Sequence, residues 1–334
     1  MRHSNIELLR IVAVLFILTL HTRFEGILAV YEGGIDINHI CRFIFQAMSI
    51  VGVNLFVLIS GYFGIKLKPS SLINILLQVV YITIVSILFT LIYSLVFDKP
   101  FHFNEIWFTP VAKIVWFVPA YIMLMIFTPI LNVFIENTTT KKLAIYTACL
   151  YLLSIYWNSI LVGTISGFDG YSWGWFIILY FTGCVIRRLE VSKSTVGGGF
   201  HKYPLLLYGI FTVLIVIVAI VQTRIPLGRS LLWTYNNPLV FISSICLFLY
   251  FCKLNIRNNI LINWLARSAF AVILFHMTFF SLYQDICSII YENFNGVACI
   301  FVTFSFIITV YMIATIIDQP RIYIYKCIKR KYNL

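Results

Sequence analysis

The sequence predicts an all-α polytopic membrane protein with about ten transmembrane helices and both termini cytoplasmic. Composition is the first ground. Of 334 residues, 61% are hydrophobic and 11% charged, with a mean hydropathy of +0.96. A soluble domain is nearer half apolar and a quarter charged. Patterning is the second. Apolar residues come in continuous runs such as 72–97 and 205–221, long enough to cross a bilayer as helices. A transmembrane barrel would alternate over roughly ten-residue segments instead. Charge placement is the third. With the N-terminus inside and the connections assigned alternately, 18 of 24 Lys and Arg fall on the inner side, as orientation requires. Topology and anionic inner-leaflet lipid thus account for the net charge of +12, without nucleic-acid binding.

The first span, 6–23, opens with Glu7 and Arg10 and ends on His21, with only Thr19 polar in between. A signal peptide would need small residues where His21, Arg23 and Glu25 stand. The second span, 40–64, carries Gln46, Asn54 and Ser60, and the third, 71–97, carries Gln78. The fourth is 111–134. The fifth and sixth, 143–162 and 173–187, flank a region interrupted by Asn158, Gly163 and Gly167. The seventh and eighth are 204–222 and 238–252. The ninth, 268–286, holds His276 and Asp285, and the tenth, 297–317, ends before Asp318. No loop is long enough for a soluble domain, so one membrane domain over 1–334 is expected. The Gly197–Phe200 run is a flexible linker, since no Gly-Lys-Ser/Thr follows it to make a phosphate loop. The eight cysteines show no C-x-x-C spacing and are expected as small apolar residues. Only Cys41 and Cys287 lie where a disulfide comes into question.

Polar groups inside spans are costly in lipid, which makes them functional candidates. Arg10 and His21 are eleven residues apart, within about 20° of three full turns, so they share one face across roughly 16 Å. Glu7 is one turn before Arg10, placed for an i,i+3 ion pair. The plain alternative is that Glu7 and Arg10 snorkel at the interface and that His21 caps the helix. His276, nine residues beyond Arg267, lies at a depth comparable to His21. Two such histidines flank a cavity, bind a metal or are unrelated. A metal site usually needs three or more ligands, and no third His or Cys has suitable spacing, so no metal is expected.

These motifs resemble those of the membrane-bound acyltransferase family 3. Arg10 and His21, ten residues between them, match its first-helix hallmark, and IELLR matches its acidic-x-x-Arg opening. GVNLFVLISGYF (Gly52–Phe63) resembles its second-helix motif, and WFVPAYIMLMIFTP from Trp116 its mid-chain run. SAFAVILFH (Ser268–His276) and DQPR (Asp318–Arg321) resemble its late motifs. The likeness covers essentially the whole chain, in order. The chain departs from the pattern at three places. Asn54 replaces a common Asp, Ile273 a usual Tyr, and Lys66 and Lys68 frequent arginines. The lysines keep the charge but lose bidentate phosphate geometry.

The resemblance implies transfer of an acyl group, usually acetyl, from cytoplasmic acyl-CoA to a hydroxyl of an extracytoplasmic or lipid-linked cell-envelope glycan. Acetyl-CoA is then the donor substrate, with no resident cofactor, and the expected location is a bacterial plasma membrane. Arg10, Lys66, Lys68 and Arg267 form the basic rim for CoA phosphates. His21 is the candidate general base on the acceptor hydroxyl, an acyl-histidine intermediate being the variant. Arg10 binds phosphate or orients the helix, and Glu7 positions Arg10. Asn54, Ser60 and His276 are second-tier candidates for cavity polarity or oxyanion stabilisation. For Ser60-Gly61 the alternative is close helix packing. Trp116 stacks on sugar or acyl chain, or else anchors at the interface. Membrane lipid and the acceptor glycan are the further partners, with a homo-oligomer or glycan-assembly proteins left open. The competing function is a polysaccharide transporter or a glycan polymerase. Transporters commonly show broken helices in related halves, which this sequence does not. A polymerase would use a large outer loop with paired basic residues, and Arg224 and Arg229 lie in 223–237.

Overall fold

A computed structural model describes residues 4–22, 37–97, 116–159, 170–191, 202–224 and 233–332. Arg2, Arg23, Lys99, Lys113, Lys193, Arg229 and the Gly197–Phe200 run lie outside them. Most of the described residues are helical, and there is no strand among them. In chain order the helices are α1 (Ser4–His21), α2 (Ile37–Ser49), α3 (Gly52–Phe63), α4 (Pro69–Phe97), α5 (Phe117–Glu136), α6 (Thr140–Ser159) and α7 (Trp173–Val191). Then follow α8 (Pro204–Arg224), α9 (Pro238–Lys253), α10 (Ile260–Arg267), α11 (Ala269–Thr278), α12 (Phe280–Asn293) and α13 (Gly296–Lys331).

Helices stand at each predicted span, but the count of ten is not reproduced. Six segments among the described residues are long and apolar enough to cross a membrane, or seven with one bent pair. α9 is apolar but shorter, and α6 and α7 do not qualify. The predicted second span consists of α2 and α3, separated at Ile50-Val51. The predicted ninth, 268–286, begins at a bend and contains a break. α10 and α11 bend by 42° at Ser268, where the Ser268 N–H bonds to Leu265 O at 3.2 Å, an i−3 contact tighter than an α-turn. A further break at Phe279 starts α12.

α13 overruns its prediction. It continues through Pro320 to Lys331. Proline removes one helix donor, and nearby side chains add others. The Tyr81 hydroxyl donates to Ile317 O at 2.8 Å, and Gln319 Nε2 to Thr315 O at 2.7 Å. Backbone away from water must find such partners. Leu76, Val80, Ile84, Leu88 and Leu95 on α4 are exposed, as a lipid-facing surface is.

α1 is the hub, packing on α2, α3, α9, α10, α11 and α13. Small residues let helices approach in the way membrane bundles require. A Cβ on Gly52 would stand 2.8 Å from Ala13 O of α1. A Cβ on Gly61 would stand 2.2 Å from Tyr180 O of α7, and one on Gly183 would stand 2.5 Å from Leu58 O. The α3–α7 crossing is therefore backbone on backbone. All eight cysteines are free thiols, Cys41 and Cys287 among them.

Candidate active site

Two polar centres lie along α1. The first is a cavity of about 430 Å³ at its N-terminal part. Arg10, Ser60, Lys66 and Arg267 line it, so three of the four residues of the predicted basic rim converge. Its described lining contains no carboxylate, and such a single-sign pocket attracts anions. Lys68 is exposed at the start of α4 and does not line it.

The local fold explains the convergence. Glu7 and Arg10 pair across one turn, Nη1 to Oε2 at 3.0 Å, with Glu7 buried and the guanidinium part-exposed. Gly64, at φ 75°, ends α3 in a conformation that glycine adopts without strain. The turn that follows is pinned on both sides. Ile65 N–H donates to the Tyr180 hydroxyl at 3.0 Å, and Asn132 Nδ2 donates to Ile65 O at 2.8 Å. The Tyr180 hydroxyl in turn donates to Asn132 Oδ1 at 2.7 Å. Lys66 is thereby carried to the cavity mouth.

Gln78, the polar position named in the predicted third span, also lines the cavity, and the remaining lining residues escaped the sequence analysis. Asn74 and Gln78 are one turn apart on α4, polar positions in an apolar span, and Ser71, Tyr121 and Tyr325 join them. The Tyr121 hydroxyl lies 3.0 Å from Ser60 Oγ. Behind Asn74 is a buried ion pair, Arg321 with Asp318. Nε and Nη2 of Arg321 grip both carboxylate oxygens at 2.7 and 2.6 Å, and Nη1 donates to Asn74 Oδ1 at 2.7 Å. Such a bidentate pair is rigid, and it ties α13 to the cavity wall on α4.

The second centre is at the other end of α1. His21 Nδ1 lies 2.9 Å from His276 Nε2. His21 is part-exposed, while His276 is 1% exposed. The two histidines that the sequence placed at comparable depth are thus in contact. His276 Nδ1 is 3.1 Å from Val272 O, one turn back on α11, and Phe280 meets the His21 ring edge-on at 5.6 Å. Among the described residues no group of three His, Cys, Asp or Glu could hold a metal.

α12 holds the end of α1 in place. The last carbonyls of a helix lack intrahelical partners. Here the Tyr283 hydroxyl donates to Leu18 O at 2.9 Å, the Tyr291 hydroxyl to Thr22 O at 2.7 Å, and Gln284 Nε2 to His21 O. Tyr283, Cys287 and Tyr291 recur every four residues and are buried. That period was the signal available in the sequence, obscured by the expectation of one span over 268–286.

Asn54 and Trp116 are elsewhere. Asn54 is fully buried with its bonds spent inside the protein. Nδ2 donates to Tyr235 O at 2.9 Å and lies 3.1 Å from Ser244 Oγ, while Oδ1 accepts from Trp175 Nε1 at 3.0 Å. It joins α3 to α7 and α9 and does not line the cavity. Trp116 packs in an aromatic cluster with Tyr171 at 5.1 Å and Tyr235 at 5.5 Å, also outside the cavity lining.

The model of the family described as "Acyltransferase domain", acyltransferase family 3, matches residues 3–317. No curated protein and no solved structure matches the chain. The chain belongs to acyltransferase family 3, and the matched stretch contains both histidines and every described lining residue of the cavity except Tyr325.

Proposed function

We propose that this acyltransferase uses a cytoplasmic acyl-CoA, acetyl-CoA being the expected one, and acylates a hydroxyl of an extracytoplasmic or lipid-linked envelope glycan. In this reading the N-terminus is inside the cell, the membrane is the bacterial plasma membrane, and His21 is the general base. The observation that carries it is the pair of centres on α1: an anion-attracting cavity at Arg10 and an imidazole at His21.

An acyl-CoA has phosphates at one end and the reactive thioester at the other. Arg10, Lys66 and Arg267 suit the phosphates, since charge-assisted hydrogen bonds to phosphate are strong. The cavity's location favours entry of the donor from the Arg10 side. The eleven-residue separation of Arg10 and His21 sets the two ends roughly 16 Å apart along the helix. An imidazole titrates near neutrality, which suits proton abstraction from an acceptor hydroxyl.

The test is release of free CoA thiol by purified protein in nanodiscs. Acetyl-CoA is the donor probe, and de-O-acetylated capsular and lipopolysaccharide glycans are the acceptor probes. Acceptor-dependent thiol release that disappears in His21→Ala, with the variant still inserted and folded, is expected. Full activity of His21→Ala would sink the assignment of His21 as the base.

A further inference from the structure

We infer that His276 is a positioning residue for His21: it fixes the His21 imidazole in the tautomer that carries its proton on Nδ1, and so makes Nε2 the nitrogen that works on substrate. The inference rests on the reading of His21 as the base, while the tautomer itself is measurable without turnover.

The argument starts from an atom with no choice. Val272 O is a backbone carbonyl and only accepts hydrogen bonds. His276 Nδ1, 3.1 Å away, must therefore be the donor and carry a proton. In a neutral imidazole the other nitrogen is then an acceptor. That nitrogen, His276 Nε2, stands 2.9 Å from His21 Nδ1, so His21 Nδ1 is the donor between them. Neutral His21 is left with its lone pair on Nε2. Assigning tautomers from the second nitrogen's partner is the usual logic for catalytic imidazoles.

The surroundings suit a positioning role. His276 is buried at 1% exposure, does not line the Arg10 cavity, and has the Tyr283 ring 5.9 Å away. It therefore reaches the reaction through His21. Tyr283 also donates to Leu18 O, so the same side chain packs on His276 and holds the last turn of α1.

The hydrogen-bond chain also fixes where the proton goes. During transfer, the acceptor O–H gives its proton to His21 Nε2 while its oxygen attacks the thioester carbonyl. The tetrahedral intermediate collapses with cleavage of the C–S bond, and the leaving thiolate takes the proton from Nε2. Meanwhile the imidazolium of His21 donates through Nδ1 to His276 Nε2, a charge-assisted bond. The proton has no onward route there, because His276 Nδ1–H ends on a carbonyl of its own helix. The nitrogen that acts as base must then act as acid.

Two variants and one spectrum test this. His276→Leu fills the space without an acceptor, whereas His276→Gln presents Oε1 in place of Nε2. With the same acetyl-CoA and glycan probes, His276→Leu should lower kcat by about 10²-fold, because losing a tautomer-fixing partner is that costly or more in catalytic triads. KM for acetyl-CoA should stay within about twofold of wild type, and His276→Gln should restore most of kcat. Wild-type kcat in a folded His276→Leu overturns the proposal. So does a folded His276→Gln as inactive as His276→Leu. If His276→Leu fails to insert, ¹⁵N spectra of histidine-labelled wild-type protein decide, with His21→Ala assigning the resonance. A protonated Nδ1 on neutral His21 is expected, and a protonated Nε2 refutes it. An inactive His276→Leu beside a fully active His21→Ala would instead remove His21 as base and leave the tautomer result standing.

Discussion

Replacing Gly61 with alanine should separate α3 from α7 and loosen the anion cavity. The new Cβ would lie 2.2 Å from Tyr180 O and 2.8 Å from Tyr180 C and Cα, all backbone atoms. Ordinary contact begins at 3.4 Å, so the helices must part by about 1.2 Å (3.4 − 2.2). No side chain can rotate away to absorb this. Overpacking of this kind costs ~1–3 kcal/mol. The retreat of Tyr180 also strains its bonds to Ile65 N and Asn132 Oδ1, now 3.0 and 2.7 Å, each worth ~0.5–1.5 kcal/mol net. The total is ~2–6 kcal/mol. Equilibrium unfolding in mixed micelles measures it, with Gly183→Ala as the reciprocal variant. Gly209→Ala is the control, because a Cβ there meets nothing within 4 Å, and helix propensity alone should make it neutral or better by up to ~1 kcal/mol. Since Ile65 precedes Lys66, KM for acetyl-CoA should also rise in Gly61→Ala at temperatures where the fold persists. Equal stability of all three variants would refute the backbone-on-backbone crossing.

Two further outcomes follow from the site. Arg10→Ala should raise KM for acetyl-CoA by ~10–150-fold, the equivalent of a ~1.5–3 kcal/mol charged hydrogen bond, and Arg10→Lys should fall between; an unchanged KM in steady-state kinetics would place the donor elsewhere. Asn54→Leu strands Trp175 Nε1 and should lower stability by ~1–3 kcal/mol while leaving kcat per folded molecule unchanged; a selective fall in kcat would return Asn54 to the chemistry.

The site was legible to the extent that it broke the pattern of its surroundings. In an apolar span each polar residue stands out, so Glu7, Arg10, His21 and His276 could be singled out. The Glu7–Arg10 pair needs only helix geometry, and it is present. Contacts between helices need neighbour and register, which periodicity does not supply. The sequence put His21 and His276 at similar depth but could not distinguish contact from coincidence. Asn54 looked like a cavity residue for the same reason: its partners Trp175, Tyr235 and Ser244 come from distant segments. Breaks were hidden as well. Ser268 and Phe279 interrupt helices without the usual Gly or Pro signal, whereas Pro320, which carries it, interrupts nothing because α13 runs through it. Gln78 stood out in its span and Asn74, one turn before it, was readable in principle, but only the cavity gives them a purpose.

The value of α1 to the chemistry lies in being held at both ends. A lone helix frays where its terminal carbonyls and amides lack partners, and a frayed last turn would let His21 wander. At the start, Ser4 Oγ donates to Asn263 Oδ1 at 3.2 Å and accepts from Asn259 N–H at 2.9 Å, while Asn5 Nδ2 donates to Phe251 O at 3.0 Å. At the end, Tyr283, Gln284 and Tyr291 bind the last carbonyls. Between them the helix is a fixed spacer, and Arg10 and His21 inherit its rigidity. In the proposed reading, a donor gripped by its phosphates at Arg10 reaches towards His21 along this spacer, roughly 16 Å of helix. As the proposed base, His21 needs placement to about half an ångström, and α12, which contributes nothing to the Arg10 cavity, bonds the carbonyls around it. If Arg10 binds the donor and His21 is the base, donor affinity and transfer rate rest on different helices acting on one shared element, and mutation should separate them.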